Sequence, residues 1–377
     1  MAVIAPASAA QALDAVRAAV ADRRSLELVG GGTRRGLGRR VAADDLLDLS
    51  GLSGIVLYQP DELVLTLRPG TPLAEVADAL ARQGQHLAFE PSISGTTGGA
   101  VCVNASGPRR FRAGAARDFM LGVAGVSGHG EAFRAGGRVV KNVTGYDLSR
   151  LMAGSFGTLA VLTELTLKVL PRAAGSATLA IRDQDARAAC AILRRAAEDR
   201  LEPSGAAWLS QSAAATAGLG EPGRGVALIR FEGGAETVRI RADEFARALG
   251  GGGSVLDPEL ATALWAAVGD APGLLGAIGD DEVLWRLAVP PSAAAEAAAL
   301  GHSVVDWAGG LVWVVLPVGR EPPEIGSAML HTASEAERRR RPLFREEAGV
   351  DALSRRVKRA FDPMNLLNPG RMREEVR

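Results

Sequence analysis

The sequence predicts an α+β protein with two domains, the second smaller and built on an antiparallel sheet. Three observations lead there. At 377 residues the chain is long enough for more than one hydrophobic core. Segments with apolar residues three and four apart alternate along it with segments of strict two-residue period, so helices and strands are interspersed. The texture also changes at "LPRAAGSA": glycine-rich loops dominate before it, alternating strands and alanine-rich helices after it. The boundary is accordingly drawn between residues 172 and 173, with the second domain running to 340.

Composition narrows the class. Hydrophobic residues make up 47% and charged residues 23% of the chain, as in a soluble globular protein. Basic and acidic residues balance at 43 each, which argues against a nucleic-acid partner. Cys102 and Cys190 are too few and too apolar in setting for a disulfide framework. The N-terminus reads as a helix rather than a signal peptide, and no apolar run approaches the roughly 20 residues of a membrane span. A cytoplasmic location is expected.

Residues 8–24 carry Leu13, Val16 and Val20 at helical spacing. "LELVG" is then a short buried strand running into "GGGTRRGLG", and "LLDLS" and "GIVLYQP" are two further strands. "DELVLTLRPG" reads as an alternating strand with Leu63, Leu65 and Leu67 on one face. Thr71 is placed to cap the following helix, whose apolar face is Leu73, Val76, Ala77 and Leu80. "FMLGVAGVSGHGEAFRAGG" is a hairpin closed by "SGHG". "YDLSRLMAGSFGTLAVLTELTLKVLPR" gives a short helix, a glycine turn and a long strand.

Beyond residue 172, "ATLAIR", "GVALIRFEG", "VLWRLAVP" and "LVWVVLP" alternate with "ARAACAILRRAAE" and "ETVRIRADEFARAL". That order fits one antiparallel sheet with helices on one face. "LVWVVLP" is sheet core or interface. "SEAERRRRPLF", with its arginine run 338–341, reads as a solvated surface or linker; the second reading is a docking site for an acidic partner.

The glycines point to chemistry. Backbone N–H groups of a glycine-rich loop after a strand can form an anion-binding nest. "GGGTRRGLG" has that position but the spacing of neither common phosphate loop. By itself it is equally a turn between strands. "SGTTGG" adds two hydroxyls and unobstructed N–H groups, and "GSFG" sets Gly154 and Gly157 just before a strand.

Together "VGGGTRRGLG", "SISGTTGGAVCVNASG", "GRVVKNVTGYDLSRLMAGSFGTLAVLTELTLKVLPR" and "FDPMNLLNPGRM" resemble the flavin domain of the vanillyl-alcohol oxidase superfamily, with its PCMH-type FAD-binding fold of two subdomains. Within it the pattern is most similar to the E-type FAD-binding subunits of bacterial glycolate oxidases. The motifs span most of residues 25–172 and return at 361–372. Residues 173–340 carry no comparable motif.

The resemblance implies non-covalent FAD lying between the two subdomains. Gly30, Gly31, Gly32, Thr33 and Gly36 match its pyrophosphate loop. Gly95, Thr96, Thr97, Gly98 and Gly99 match the stretch holding the diphosphate and flavin side, and Ser106, Gly107 and Gly114 positions that keep the next segment against the cofactor. Gly157 and Val161 match the strand beside the adenine or ring, and Asn368 a tail residue returning to the flavin domain, to which residues 341–377 are assigned. Lys141 fits the pattern either as a flavin contact or as a strand anchor. Where some relatives carry a flavin-linking histidine, this chain has Thr33 and Arg34. Covalent attachment is not expected.

The implied activity is oxidation of a 2-hydroxy acid, glycolate or D-lactate, to the 2-oxo acid. The implied partners are a homologous FAD-binding catalytic subunit and an iron–sulfur subunit, through which the complex reaches the inner face of the membrane. His86, His129, His302 and His331 are scattered, His129 in an exposed turn, and no histidine–carboxylate set has metal-ligand spacing. The histidine-rich cap segment of relatives that oxidise D-2-hydroxy acids has no counterpart. Arg230, Arg286 and Arg345 are candidates to hold a substrate carboxylate, and Glu282 and Asp306 to serve as an alternative base. Nothing in the sequence chooses among them, and a self-sufficient dehydrogenase or an electron-relay flavin subunit stays open.

Overall fold

The computed structural model describes residues 1–137, 145–220, 223–340, 343–345 and 348–373, the side chain of Ala348 excepted. Lys141 and Arg341 lie outside these residues. Two compact units result: Met1–Ala105, Gly114–Arg172 and Glu346–Arg377 form the first, Ser106–Ala113 and Ala173–Arg345 the second.

In the first unit the helix Ala9–Asp22 starts where Ser8 Oγ accepts a hydrogen bond from Gln11 N at 3.2 Å. Its buried residues are Ala12, Val16 and Ala19, with Leu13 and Val20 on the flanks rather than at the centre. The small residues let the helix lie close against Leu26, Leu47, Val126, Val161 and Leu367, which share its core. Each large apolar side chain fully buried there contributes roughly 1.5–3 kcal/mol. Leu26–Val29 and Asp45–Asp48 pair in parallel, with Val3–Ile4 on the far side of Asp45–Asp48. A five-stranded antiparallel sheet follows the order Ile55–Gln59, Val64–Leu67, Ala160–Lys168, Met120–Ser127, Ala132–Gly136.

Two local expectations need correction. Leu63 lies outside the strand with φ 56°, and Val64–Leu67 is buried on both faces instead of alternating. Thr71 does not cap the helix Leu73–Ala81. Its Oγ1 donates to Arg68 O at 2.7 Å and accepts from Gly54 N at 2.9 Å, closing the preceding turn instead.

The second unit is a nine-stranded sheet, antiparallel at every pairing. Leu311–Pro317, the "LVWVVLP" segment, is an inner strand between Ser303–Asp306 and Glu282–Ala288. Helices cover both faces, where one was expected. Ala186–Glu198, Thr237–Ala248 and Ala294–Ala298 pack on one face; Gln211–Thr216, Pro258–Gly269 and Ala271–Leu274 pack on the other. The strands explain this: Leu228 and Ile229, or Leu284 and Val283, are neighbours that bury opposite faces, so neither face is polar.

Ser106–Ala113 belongs to this second unit, interrupting the continuous 1–172 read from the sequence. Arg109 anchors it with a bidentate pair to Glu232, 2.6 and 2.8 Å. Burial alone would raise the Glu232 pKa, but the Arg109 hydrogen bonds and the charges of Arg230 and Arg109 outweigh it and hold the carboxyl at about 2.

Candidate cofactor site

The first glycine loop leaves the strand Leu26–Val29 and meets the second glycine stretch, within the first unit. A cleft between them is lined by Gly30, Gly31, Gly32, Thr33, Thr96, Gly98, Gly99, Gly157 and Asn368, all expected from the sequence, and by Leu28, Arg34, Phe156, Ala160, Leu162 and Arg371.

The two loops are packed on each other. A Cβ on Gly30 would stand 2.6 Å from Thr96 Oγ1, and one on Gly98 2.6 Å from Pro69 Cβ and 2.9 Å from Pro69 O. Glycine is therefore required at 98 by the protein's own backbone, which also bonds there through Gly98 N to Pro69 O at 2.7 Å. Gly32 differs: its φ is +73° and a Cβ would meet nothing within 4 Å.

Thr96 starts the helix Thr97–Cys102, its Oγ1 accepting from Gly99 N at 3.3 Å. Arg34 spans the loops, donating to Ser94 O at 3.1 Å, and burial lowers its pKa. Arg35 instead turns away to Glu27, 2.6 and 2.8 Å. The tail closes the cleft. Asn368 Oδ1 accepts from Leu28 N and Asn368 Nδ2 donates to Phe156 O, both at 2.8 Å. Arg371 donates through Nη2 to Arg34 O at 2.7 Å, and its buried Nε meets no partner among the described residues.

The backbone N–H groups of Gly30, Gly31, Gly32 and Thr33 likewise donate to no described residue. Successive N–H groups without acceptors beside a buried guanidinium make an anion cradle. The residues fit a pyrophosphate-bearing cofactor: donors for the phosphates, with Leu28, Phe156 and Leu162 as an apolar wall.

Other expected residues lie elsewhere. Gly36 is exposed with open space around it. Gly95, with φ +83°, packs against Thr33 and Arg34, which line the cleft in its place. Thr97 is buried, its Oγ1 donating to Thr71 O at 3.1 Å. Gly114, with φ +99°, packs on Asp118. Val161 is fully buried in the core of the Ala9–Asp22 helix; alternation turns Ala160 and Leu162 to the cleft instead. Ser106 and Gly107 sit in the second unit, Ser106 Oγ accepting from Arg110 Nη1 at 2.9 Å. Leu28, Phe156 and Arg371 escaped sequence reasoning, although Arg371 stands in the quoted "NPGRM".

In the second unit the three arginine candidates separate. Arg230 is buried, stacked at 4.5 Å on Trp265 and 3.7 Å from Glu232. Arg345 donates to the Pro322 and Pro323 carbonyls. Arg286 makes no hydrogen bond or ion pair with a described residue. Its guanidinium lies 4.9 Å from the Trp307 ring and 5.7 Å from that of Trp313. Burial, then the like charge of Arg110, pushes its pKa down to about 10 against the pull of Asp306. Burial and the charges of Arg286 and Arg338 push His331 down to about 4. Asp306 is buried and accepts from Trp307 N at 2.7 Å, whereas Glu282 accepts from Gly279 N at 3.2 Å. His129 is exposed, as expected, its ring 3.1 Å from Ala360 O.

The chain is similar to known proteins along nearly its whole length. Residues 1–136 match a family described as FAD binding domain, and residues 338–372 one described as FAD linked oxidases, C-terminal domain. The chain is 35% identical to the glycolate oxidase subunit GlcE of Escherichia coli (strain K12), over 97% of both chains. It is 26% identical to the glycolate oxidase subunit GlcD of Bacillus subtilis (strain 168), over 85% of this chain and 77% of that one. Among solved structures, an alkyldihydroxyacetonephosphate synthase superposes with a TM-score of 0.68 at 14% identity, over 97% of this chain and 76% of that one. That likeness shows a common fold.

Proposed function

Because this chain belongs to the PCMH-type FAD-linked oxidase family, alongside glycolate oxidase subunit GlcE, we propose that it is the FAD-binding subunit of a glycolate oxidase-type complex. FAD is its cofactor, and the chain is an FAD-dependent oxidoreductase. The complex oxidises a 2-hydroxy acid, glycolate or D-lactate, to the 2-oxo acid. A homologous flavin subunit and an iron–sulfur subunit are its partners, the latter taking the electrons at the inner face of the membrane.

The observation that carries the cofactor assignment is the run of N–H groups from Gly30 to Thr33 that donate to no described residue, lining a cleft with Arg371, whose Nε meets no partner among the described residues. These donors would hold the pyrophosphate, and Leu28, Phe156 and Leu162 would exclude water from its apolar neighbours. When bound, the flavin supplies a two-electron acceptor for the substrate C–H hydride. The protein must also take the hydroxyl proton, a task worth about 10²–10⁴ in rate.

The subunit reading is supported by near-complete mutual coverage with a protein named as a subunit. Its test is anaerobic reduction of the flavin by glycolate, first with this chain and then with the assembled complex. Slow bleaching alone and fast bleaching in the complex is the expected pair. Rapid full reduction of the isolated chain refutes it in favour of a self-sufficient dehydrogenase. Acid precipitation is expected to leave the flavin in the supernatant, since Thr33 and Arg34 cannot form the histidyl link.

A further inference from the structure

We propose that the second unit carries its own binding site for a small organic carboxylate, formed by Arg286 and the indole N–H of Trp307. The strand Glu282–Ala288 sets Arg286 directly opposite Trp313, and its other neighbour places Met329 beside Arg286. Between Leu330 and Thr332 that neighbouring strand bulges by one residue, His331, whose ring meets Trp313 edge-on at 5.0 Å. Bulges of this kind re-aim side chains and recur beside binding sites.

Trp307 carries the second donor. It is 7% exposed and its Nε1 is buried with no partner among the described residues. A buried N–H left unpaired is costly, so its persistence needs a reason. Trp307 also has φ 53° and Ala308 φ 56°. A bulky side chain held in the left-handed region is strain of the sort that collects at ligand sites.

Charge points the same way. Arg110 stands 4.4 Å from the Trp307 ring centroid and Arg286 4.9 Å, so one indole is flanked by two guanidinium groups. Asp306 is the carboxylate whose charge reaches Arg286, but its Oδ1 is already bonded to Trp307 N. Arg286 is half-buried, and its planar donor fork makes no hydrogen bond or ion pair with a described residue. Such a fork matches a carboxylate in bidentate fashion, and a neighbouring indole N–H adds a third donor while the Trp rings exclude water. Arg230 and Arg345, the other arginines considered, are already occupied.

The choice of glycolate as probe rests on the proposed function; the site itself does not. Equilibrium dialysis of radiolabelled glycolate against the full chain, with flavin absorbance read on the same samples, is the experiment. Saturable binding is expected, weakened by roughly 10–100-fold in Arg286→Gln, from the loss of a charged hydrogen-bonding partner. A smaller loss is expected in Trp307→Phe, which keeps a ring and removes the N–H. Arg286→Lys should recover part of the affinity while melting like wild type, separating ligand contact from folding. Glycolate binding unchanged in Arg286→Gln overturns the site. So does equal competition by chloride, which marks a counter-ion position rather than a carboxylate site. Loss of flavin with glycolate binding intact leaves this site standing and counts against the cofactor reading alone.

Discussion

Replacing Asn368 with alanine removes two hydrogen bonds that tie the tail to the cleft. Both are 2.8 Å long, and Asn368 is 2% exposed. The Leu28 N–H and the Phe156 carbonyl lose their partners, each at about 1–3 kcal/mol. Asn368 also has φ 45°, where alanine is less favourable than asparagine by about 1 kcal/mol. Because the side chain borders a cleft that water can enter, the lower part of the range applies, giving about 3 kcal/mol. For a unit of this size that corresponds to a fall in melting temperature of roughly 6–12 °C. Differential scanning calorimetry of the flavin-free protein measures it. Asn368→Gly, which relaxes the backbone, should be milder than Asn368→Ala by about 1 kcal/mol. An alanine variant melting within about 2 °C of wild type would refute the reasoning, since it would mean the tail is not held through this side chain.

The glycines yield a second test. Gly98→Val should destabilise the flavin-free protein through collision with Pro69, so its flavin loss says little about the cofactor. Gly32→Ala meets open space and costs only about 1 kcal/mol of backbone preference, so a flavin affinity reduced beyond that in fluorescence titration reports contact with the ligand. The Arg109–Glu232 pair yields a third. Glu232 is held at about 2, below its ordinary value of 4.5, so its contribution is full above about pH 4.5 and is lost as pH falls toward 2. Urea midpoints between pH 5 and 2.5 should fall less steeply in Glu232→Gln than in wild type; identical slopes would show that the pair does not couple to folding. Arg109→Ala at pH 7 should cost about 3 kcal/mol, leaving a mostly buried carboxylate without its bidentate partner.

Much of the cofactor cleft was legible because its signals are local. A strand followed by Gly30–Gly32, and a hydroxyl–glycine run at Thr96–Gly99, announce exposed N–H groups whatever surrounds them. What each glycine does was not legible: Gly98 faces Pro69 and Gly32 faces open space, and only packing in three dimensions distinguishes them. Alternation misled in a related way. Val161 was placed beside the cofactor, yet the strand sends Ala160 and Leu162 there and Val161 into the core, a one-residue phase that motif matching does not resolve. Arg286 was one of three equal arginines in the sequence. It became distinct only once Trp265 and Glu232 were seen to hold Arg230, and two carbonyls Arg345. Helices on both faces of the second sheet were missed because alanine-rich segments such as Gln211–Thr216 are short and weakly patterned.

The partition of the chain governs when each unit can be completed. Leu26 N bonds to Leu366 O, and Leu28 N to Asn368, so the other edge of the strand Leu26–Val29 is satisfied by residues some 340 positions later. During synthesis the N-terminal helix and strands emerge early but lack their closing segment until residues 366–368 have left the ribosome. The sheet of the second unit needs only Ser106–Ala113 from upstream and can form first. Contacts so distant in sequence slow folding. A polypeptide cut anywhere between Arg172 and Glu346 would deprive the flavin cleft of Asn368 and Arg371 while leaving both glycine loops intact.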